Sequence, residues 1–243
     1  MKILCLDSTA KVASAAILDD LTVLGAYTVS GGGRSHSELL LPMIRSLLTS
    51  TSLTEDDIDL FACTAGPGSF TGVRIGAAVI KGLAFGREKP CCEISALWAL
   101  AEQLVPLDGL VAAVMDARRA QVYTALFRCE GGVLTRLTPD RAIAAEELAA
   151  EIRTAYPDEG VRLVGDGMAV ARAALEGAGV PILPTPLLLS EQNAAAAGRC
   201  AYRMAAAGET VTDEALRPIY LRLPQAERER QERLSKENNE KRG

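Results

Sequence analysis

A mixed α/β fold of two similar lobes is what this sequence predicts, on three observations. The order βββ-α-β-α-β-α fills the first hundred residues, and a βββ-α-β-α order begins again near residue 109. The strands that open each half are joined by tight turns, the mark of an antiparallel meander. The chain has 243 residues, 49% hydrophobic and 23% charged, enough for one large domain or two lobes with a sizeable core.

The elements follow in order. Residues 2–7, 12–18 and 22–30 read as three strands, with turn signals at 8–11 and at Asp19-Asp20. Ser35-His36-Ser37-Glu38 has capping-box spacing, and Leu39, Leu40, Met43, Ile44, Leu47 and Leu48 give the helix over 35–48 an apolar face. Pro42 lies inside that helix and removes an amide donor, so a kink or a free Glu38 carbonyl is expected. Residues 58–65 read as a strand, Gly66-Pro67-Gly68-Ser69-Phe70-Thr71-Gly72 as a loop, and 72–85 as a second helix. After Pro90 a short strand is expected, then a third helix capped by Ser95 and running to Leu104. In the second half, strands are expected at 109–115, 120–127, 133–138 and 162–164, and helices at 144–153, 168–178 and 192–207.

Two successive βββ-α units are an internal duplication, the plan of the actin/hexokinase superfamily, in which two ribonuclease-H-like lobes face each other across a cleft. The lobes are placed at 1–104 and 105–189, with the late helix region 190–222 packing back on the first. Residues 223–243 form a mixed-charge run, expected to be disordered.

Composition narrows the function classes. Net charge is −5, and the last 19 residues hold six basic and five acidic side chains, so the body carries 20 basic and 26 acidic residues. A protein that grips nucleic acid alone shows a basic surplus, which this chain lacks; if RNA is involved, a partner is expected to supply most of the phosphate contacts. No apolar run is long enough for a membrane span, and the N-terminus lacks a signal peptide, so a cytoplasmic protein is expected. Cys5, Cys63, Cys91, Cys92, Cys129 and Cys200 include no C-x-x-C pair and read as small buried hydrophobes.

The second helix has only two charges, Arg74 and Lys81. Gly72 and Gly76 lie one turn apart, as do Ala78, Gly82 and Gly86. Each glycine in a helix costs about 1 kcal/mol relative to alanine, and small residues one turn apart let another backbone approach. The two helices together are expected to present a four-helix interface to another subunit. The expected contact residues are His36, Leu39, Leu40, Met43, Ile44 and Leu47 on the first helix, and Val73, Arg74, Gly76, Ala77, Ile80 and Lys81 on the second.

The segment from Thr64 to Gly76, continuing through Lys81-Gly82-Leu83-Ala84, resembles the signature of the TsaB (YeaZ) family. Leu6-Asp7-Ser8-Thr9 resembles its opening strand and turn, the run from Arg34 to Ile44 its first helix, the run from Met115 to Tyr123 its second hairpin, and Pro218-Ile219-Tyr220-Leu221-Arg222 its C-terminal motif. The resemblance covers most of the chain, and it is the combination that is specific. It implies a role in making threonylcarbamoyl-adenosine beside the anticodon of tRNA, as a non-catalytic partner of a TsaD-type catalytic paralogue, with a TsaE-type ATPase joining the pair. The paralogue's two metal-binding histidines fall here on Ala96 and Leu100, and the only histidine is His36, so a metallopeptidase motif is impossible.

Nucleotide binding needs the same scrutiny. Actin/hexokinase-like ATPases grip phosphates with two hairpins in which glycine lets the amides approach. Here the hairpins read Asp7-Ser8-Thr9 and Asp116-Ala117-Arg118, neither with glycine. A third element, the adenosine-binding turn, survives as Gly165-Asp166-Gly167, and Gly66, Gly68, Ser69 and Thr71 precede a helix start where amides can bind an anion. These residues form at most a degenerate nucleotide or anion site. The leading reading is an accessory subunit with no cofactor, no metal and no catalytic residue. It would dock the TsaD-type subunit, homodimerise when alone, and meet tRNA through the complex. The alternative is an autonomous small-molecule kinase using Asp7 and Asp116 around a magnesium nucleotide.

Overall fold

The computed structural model describes residues 1–31 and 33–222, so the charged tail expected at 223–243 lies outside the described residues. The first lobe is built on β1 (Lys2–Asp7), β2 (Ala13–Asp19), β3 (Thr22–Val29), β4 (Leu60–Gly66) and β5 (Cys91–Ser95). Their order is β3-β2-β1-β4-β5. β1 and β2 pair antiparallel, Leu4 opposite Ile17, and β1 and β4 pair parallel, Cys5 opposite Ala62. β1, β2 and β4 are buried on both faces, which is why they read as continuous apolar runs rather than alternating ones.

The second lobe repeats the plan with β6 (Gly109–Asp116), β7 (Gln121–Glu130), β8 (Val133–Arg136), β10 (Val161–Val164) and β11 (Ile182–Leu183) in the order β11-β10-β6-β7-β8. Read from the other edge this is the same succession: third, second, first, fourth, fifth. β6 and β7 pair antiparallel, and β6 and β10 parallel. Two such sheets in one chain make this the actin/hexokinase-like fold of two ribonuclease-H-like lobes. The sequence did not foretell β9 (Arg141–Ala144), which pairs with β7, or β11. At four and two residues, neither is long enough to carry an alternation.

Helices cover the sheets. α1 (His36–Thr51) and α2 (Phe70–Ala84) lie on one face of the first sheet, in one core with Leu4, Leu6, Ile17 and Phe61. α1 runs unbroken through Pro42, which is exposed. The Glu38 carboxylate accepts from the Ser35 amide at 2.7 Å, the half of the capping box that fixes the helix start. α2 begins two residues earlier than its first glycine suggested, because Ser69 Oγ accepts the Gly72 amide. A 3₁₀ turn at Glu55–Asp57 delays β4 to Leu60. α3 (Ala96–Glu102) is shorter than expected and joins the lobes. α4 (Ala145–Ala155) and α5 (Met168–Gly177) cover the second sheet. α6 (Ala194–Ala206) packs on the opposite face of the first sheet, against Ile3, Cys5 and Leu18. Its small residues permit that approach: a Cβ on Gly198 would stand 2.3 Å from Leu18 Cδ1. All six cysteines are buried free thiols. Among the described residues no helix is long and apolar enough to cross a membrane.

Two glycines of α2 make opposite predictions. A Cβ on Gly72 would lie 1.9 Å from the Ser8 carbonyl oxygen, whereas one on Gly82 meets nothing within 4 Å. Gly72→Ala is expected to destabilise by about 3 kcal/mol through overpacking, and Gly82→Ala to stabilise by about 0.5–1 kcal/mol through helix propensity. Urea denaturation followed by circular dichroism checks both signs.

Candidate functional site

Most of the contact residues that the sequence suggested on the two helices are buried within the lobe. Leu40, Ile44, Leu47, Val73 and Ile80 are at most 1% exposed, and Met43 and Ala77 under 8%. Each large apolar side chain so buried is worth about 1.5–3 kcal/mol, so the lobe itself claims this stripe. Gly76 also faces inward, its absent Cβ 2.6 Å from Ser8 Oγ. Of the expected contact residues, Arg74 is exposed, and His36, Leu39 and Lys81 are half-buried.

What α2 turns to solvent is Thr71, Arg74, Ala78 and Gly82, with the 75%-exposed Phe85 at its C-terminal end and half-buried Ile75 and Lys81 at its sides. α1 adds exposed Leu41 and Arg45. The result is a low-relief surface of small and apolar groups. α2 contains no acidic residue, and Glu38 is the one acid in α1, so this face is cationic on a chain of net charge −5. The signal for it was the spacing of Ala78 and Gly82. Gly72 and Gly76 show the same spacing and point the other way.

Between the lobes lies a cleft of about 610 Å³ lined by Lys11, Ser69, Phe70, Asp116, Arg118, Asp166 and Tyr220, among others. The hairpin residues expected to grip phosphates are engaged internally. Asp7, Ser8 and Thr9 are each 1% exposed. Asp7 Oδ1 accepts from the Thr9 amide at 3.0 Å and the Thr9 hydroxyl at 2.7 Å, and Ser8 Oγ donates to the Gly72 carbonyl at 2.9 Å. The Ser69 amide donates to the Thr9 carbonyl at 2.7 Å. Thr71, the second residue of α2, is exposed. On the second hairpin, Asp116 Oδ1 accepts the Arg118 amide at 2.7 Å, and Arg118, Arg119 and Ala120 all adopt left-handed φ, at 66°, 54° and 55°.

The glycines of these turns admit protein backbone. A Cβ on Gly68 would stand 2.4 Å from the Thr9 carbonyl oxygen, one on Gly66 2.3 Å from that of Ile219, and one on Gly165 2.2 Å from that of Val114. A Cβ on Gly167 would stand 2.8 Å from the Met115 carbonyl carbon. The close approaches that these glycines permit are made by the chain's own backbone. Burial, with the neighbouring Asp116 charge adding to it, pushes the Asp166 carboxyl above its usual range. The two positions aligned with metal-binding histidines, Ala96 and Leu100, are core residues of α3.

The C-terminal segment, expected from the sequence to pack back on the first lobe, closes one side of the cleft. The Ile219 amide donates to the Ala65 carbonyl at 2.7 Å. Tyr220 stacks on Phe70 with centroids 5.1 Å apart and accepts from Arg74 Nε at 2.8 Å. Arg222 reaches the second lobe and donates to the Ala117 carbonyl at 3.1 Å.

Comparison with known proteins places this architecture. The family model for "TsaD: tRNA N6-adenosine threonylcarbamoyltransferase" matches residues 28–228. The "tRNA threonylcarbamoyladenosine biosynthesis protein TsaB" of Escherichia coli is 31% identical over 91% of this chain and 95% of its own. The protein of the same name in Bacillus subtilis is 35% identical over 59% of this chain and 62% of its own, a match that spans less than two thirds of that relative. The solved structure of YeaZ from Pseudomonas aeruginosa superposes with a TM-score of 0.73 at 27% identity, covering 90% of this chain and 99% of that one.

Asp7 gives the site a measurable signature. It is buried, and among the described residues its Oδ2 has no hydrogen-bond partner. Burial raises its carboxyl above the ordinary range, and the bonds from Thr9 offset only part of that. The unfolded chain therefore ionises this group first, near the ordinary value of about 3.9. Stability is fully present below that value and is lost as pH rises through the folded one. The difference in unfolding free energy between Asp7→Asn and the wild type is expected to shift in the variant's favour as pH climbs across that window and then level off. Parallel stability profiles would show instead that Asp7 ionises normally.

Proposed function

The chain belongs to the TsaB (YeaZ) family, and from that premise we propose that it is the non-catalytic subunit that docks and activates a TsaD-type catalytic subunit. The family sets its place in the biosynthesis of threonylcarbamoyladenosine on tRNA. The docking surface in this reading is the exposed face of α1 and α2. The observation that carries it is the solvent side of α2: Arg74, Ala78, Gly82 and Phe85, flanked by Ile75, with no acid in the helix. A three-quarters-exposed phenylalanine beside a low-relief strip is the surface that a second pair of helices can cover. The basic character suits an acidic counterpart and favours a fast, salt-sensitive encounter. The contact residues proposed from the sequence shift accordingly. Arg74 and Lys81 stay, and Ala78, Gly82 and Phe85 replace the inward-facing Val73, Gly76, Ala77 and Ile80.

The internal use of both hairpins supports a subunit without its own nucleotide chemistry. Threonylcarbamoyl transfer is then the catalytic subunit's reaction, and this chain acts by holding that subunit in a competent conformation. A TsaE-type ATPase joins the pair, tRNA is met through the complex, and the same face closes a homodimer when the chain is alone. Closure by self-association follows from the apolar content of the face, since an exposed patch of this kind is stabilised by burial.

Mixing with the TsaD-type subunit of the same organism is expected to give a heterodimer by size exclusion with light scattering. Gly82→Arg, at a position with open space around it, is expected to weaken the complex at least tenfold, and Phe85→Ala about tenfold, neither with a lower thermal unfolding temperature. Absence of a complex, together with ATP turnover by the lone chain that Asp7→Asn abolishes, would overturn the reading in favour of the kinase.

A further inference from the structure

The segment after α6 follows α2 from its C-terminal half to its N-terminus and then leaves the lobe. Lys81 Nζ donates to the Glu214 carbonyl at 3.2 Å. Leu216 is fully buried in the core that α1 and α2 share. The Ile219 backbone lies so close over Gly66 that a side chain there would collide with it. Tyr220 is then gripped on two sides. Its ring lies on Phe70, and its hydroxyl takes the Arg74 Nε–H, while the Arg74 guanidinium sits 3.7 Å from the centre of the Phe70 ring. Two residues later Arg222 crosses to the other lobe and holds the Ala117 carbonyl.

That carbonyl opens the hairpin loop of three successive left-handed residues, Arg118 to Ala120. Non-glycine residues in this region are unfavourable and persist only where their surroundings fix them. Among the ties described for this loop are those of Asp116 to the Arg118 amide, and the backbone pairing of Ala117 with Gln121 and of Ala145 with Ala120. The bond from Arg222 comes from a segment anchored in the opposite lobe. Arg74, at the far end of the connection, is exposed on the face proposed for docking.

We propose that residues 214–222 form a strap that locks the two lobes together and is keyed to α2 through Arg74, so that a docking partner presenting a carboxylate to Arg74 releases it. The carboxylate is the stronger acceptor for a guanidinium, being charged and able to take two parallel bonds where the Tyr220 hydroxyl takes one. Once Arg74 turns to the partner, Tyr220 keeps only its ring contact. Arg222 then loses one of the anchors that aim it at Ala117, the hydrogen bond from the Ile219 amide to Ala65 remaining, and its hold on the second lobe loosens. The second half of this proposal rests on the docking reading above; the strap itself does not.

Hydrogen exchange by mass spectrometry on the full chain tests the two halves separately. In the lone protein, Arg222→Ala is expected to speed exchange of the 117–121 amides about fivefold, the worth of one hydrogen bond, while the α1 amides keep their protection. Arg74→Ala is expected to speed the same amides although it touches none of them. Tyr220→Phe, which deletes only the hydroxyl, asks the same question should Arg74→Ala disturb folding. If Arg222→Ala leaves the hairpin unchanged, there is no strap. If Arg222→Ala acts but Arg74→Ala and Tyr220→Phe do not, the strap is not keyed to α2. With the TsaD-type subunit added, faster exchange at 117–121 supports release. A complex that forms with the hairpin still protected refutes release and leaves docking standing. Failure to form a complex refutes docking, and the lone-chain result still decides the strap.

Discussion

The contact between the turn after β1 and the start of α2 is the constraint on which the rest of this molecule depends. Ser8 and Thr9 lie under the loop 66–72 with backbone against backbone, at separations that only glycine at 68 and 72 allows. Two hydrogen bonds, from Ser8 Oγ to Gly72 and from the Ser69 amide to Thr9, hold the contact shut. α2 therefore starts at one fixed place and angle on the sheet. Its apolar stripe is committed to the core, and its opposite stripe is committed to solvent.

That commitment explains how a fold built to grip nucleotides can serve another end. In a phosphate cradle, glycine is present so that amides can approach a ligand. Here the glycines are present and the approaching atoms are carbonyl oxygens of Thr9, Ile219 and Val114. The close approach at each of these glycines is thus made by the chain itself, within or onto its own lobe. What remains between the lobes is a cleft bordered by residues of opposite charge, Lys11 and Arg118 against Asp116 and Asp166. Such a lining is suited to adjusting the fit of two lobes, whereas a strongly charged ligand calls for one sign.

The outer face of α2 joins the two consequences. Its small residues and Phe85 are the surface proposed for docking, and Arg74 on the same face is tied through Tyr220 to the segment that spans the cleft. One side chain thus belongs to the proposed docking face and to the contact between lobes. In the proposed reading the subunit acts through the shape it imposes on its neighbour, and this connection from surface to cleft is the means for doing so.

Much of this was legible in the chain. The βββ-α repeat gave the two lobes, because strand and helix periods are local properties of five to fifteen residues. The Ser35 and Ser95 helix starts and the apolar stripe of α1 were equally plain. β9 and β11 were not legible, being too short for a pattern. Nor was the direction in which α2 faces, since Gly72 and Gly76 carry the same spacing as Ala78 and Gly82. A period fixes which residues share a stripe, and only the packing of Ser8 against one of those stripes decides which is core and which is surface. The contact of the C-terminal segment with α2 was least legible of all: Arg74 and Tyr220 are 146 residues apart, and no local pattern records a bond between groups that only the tertiary fold brings together.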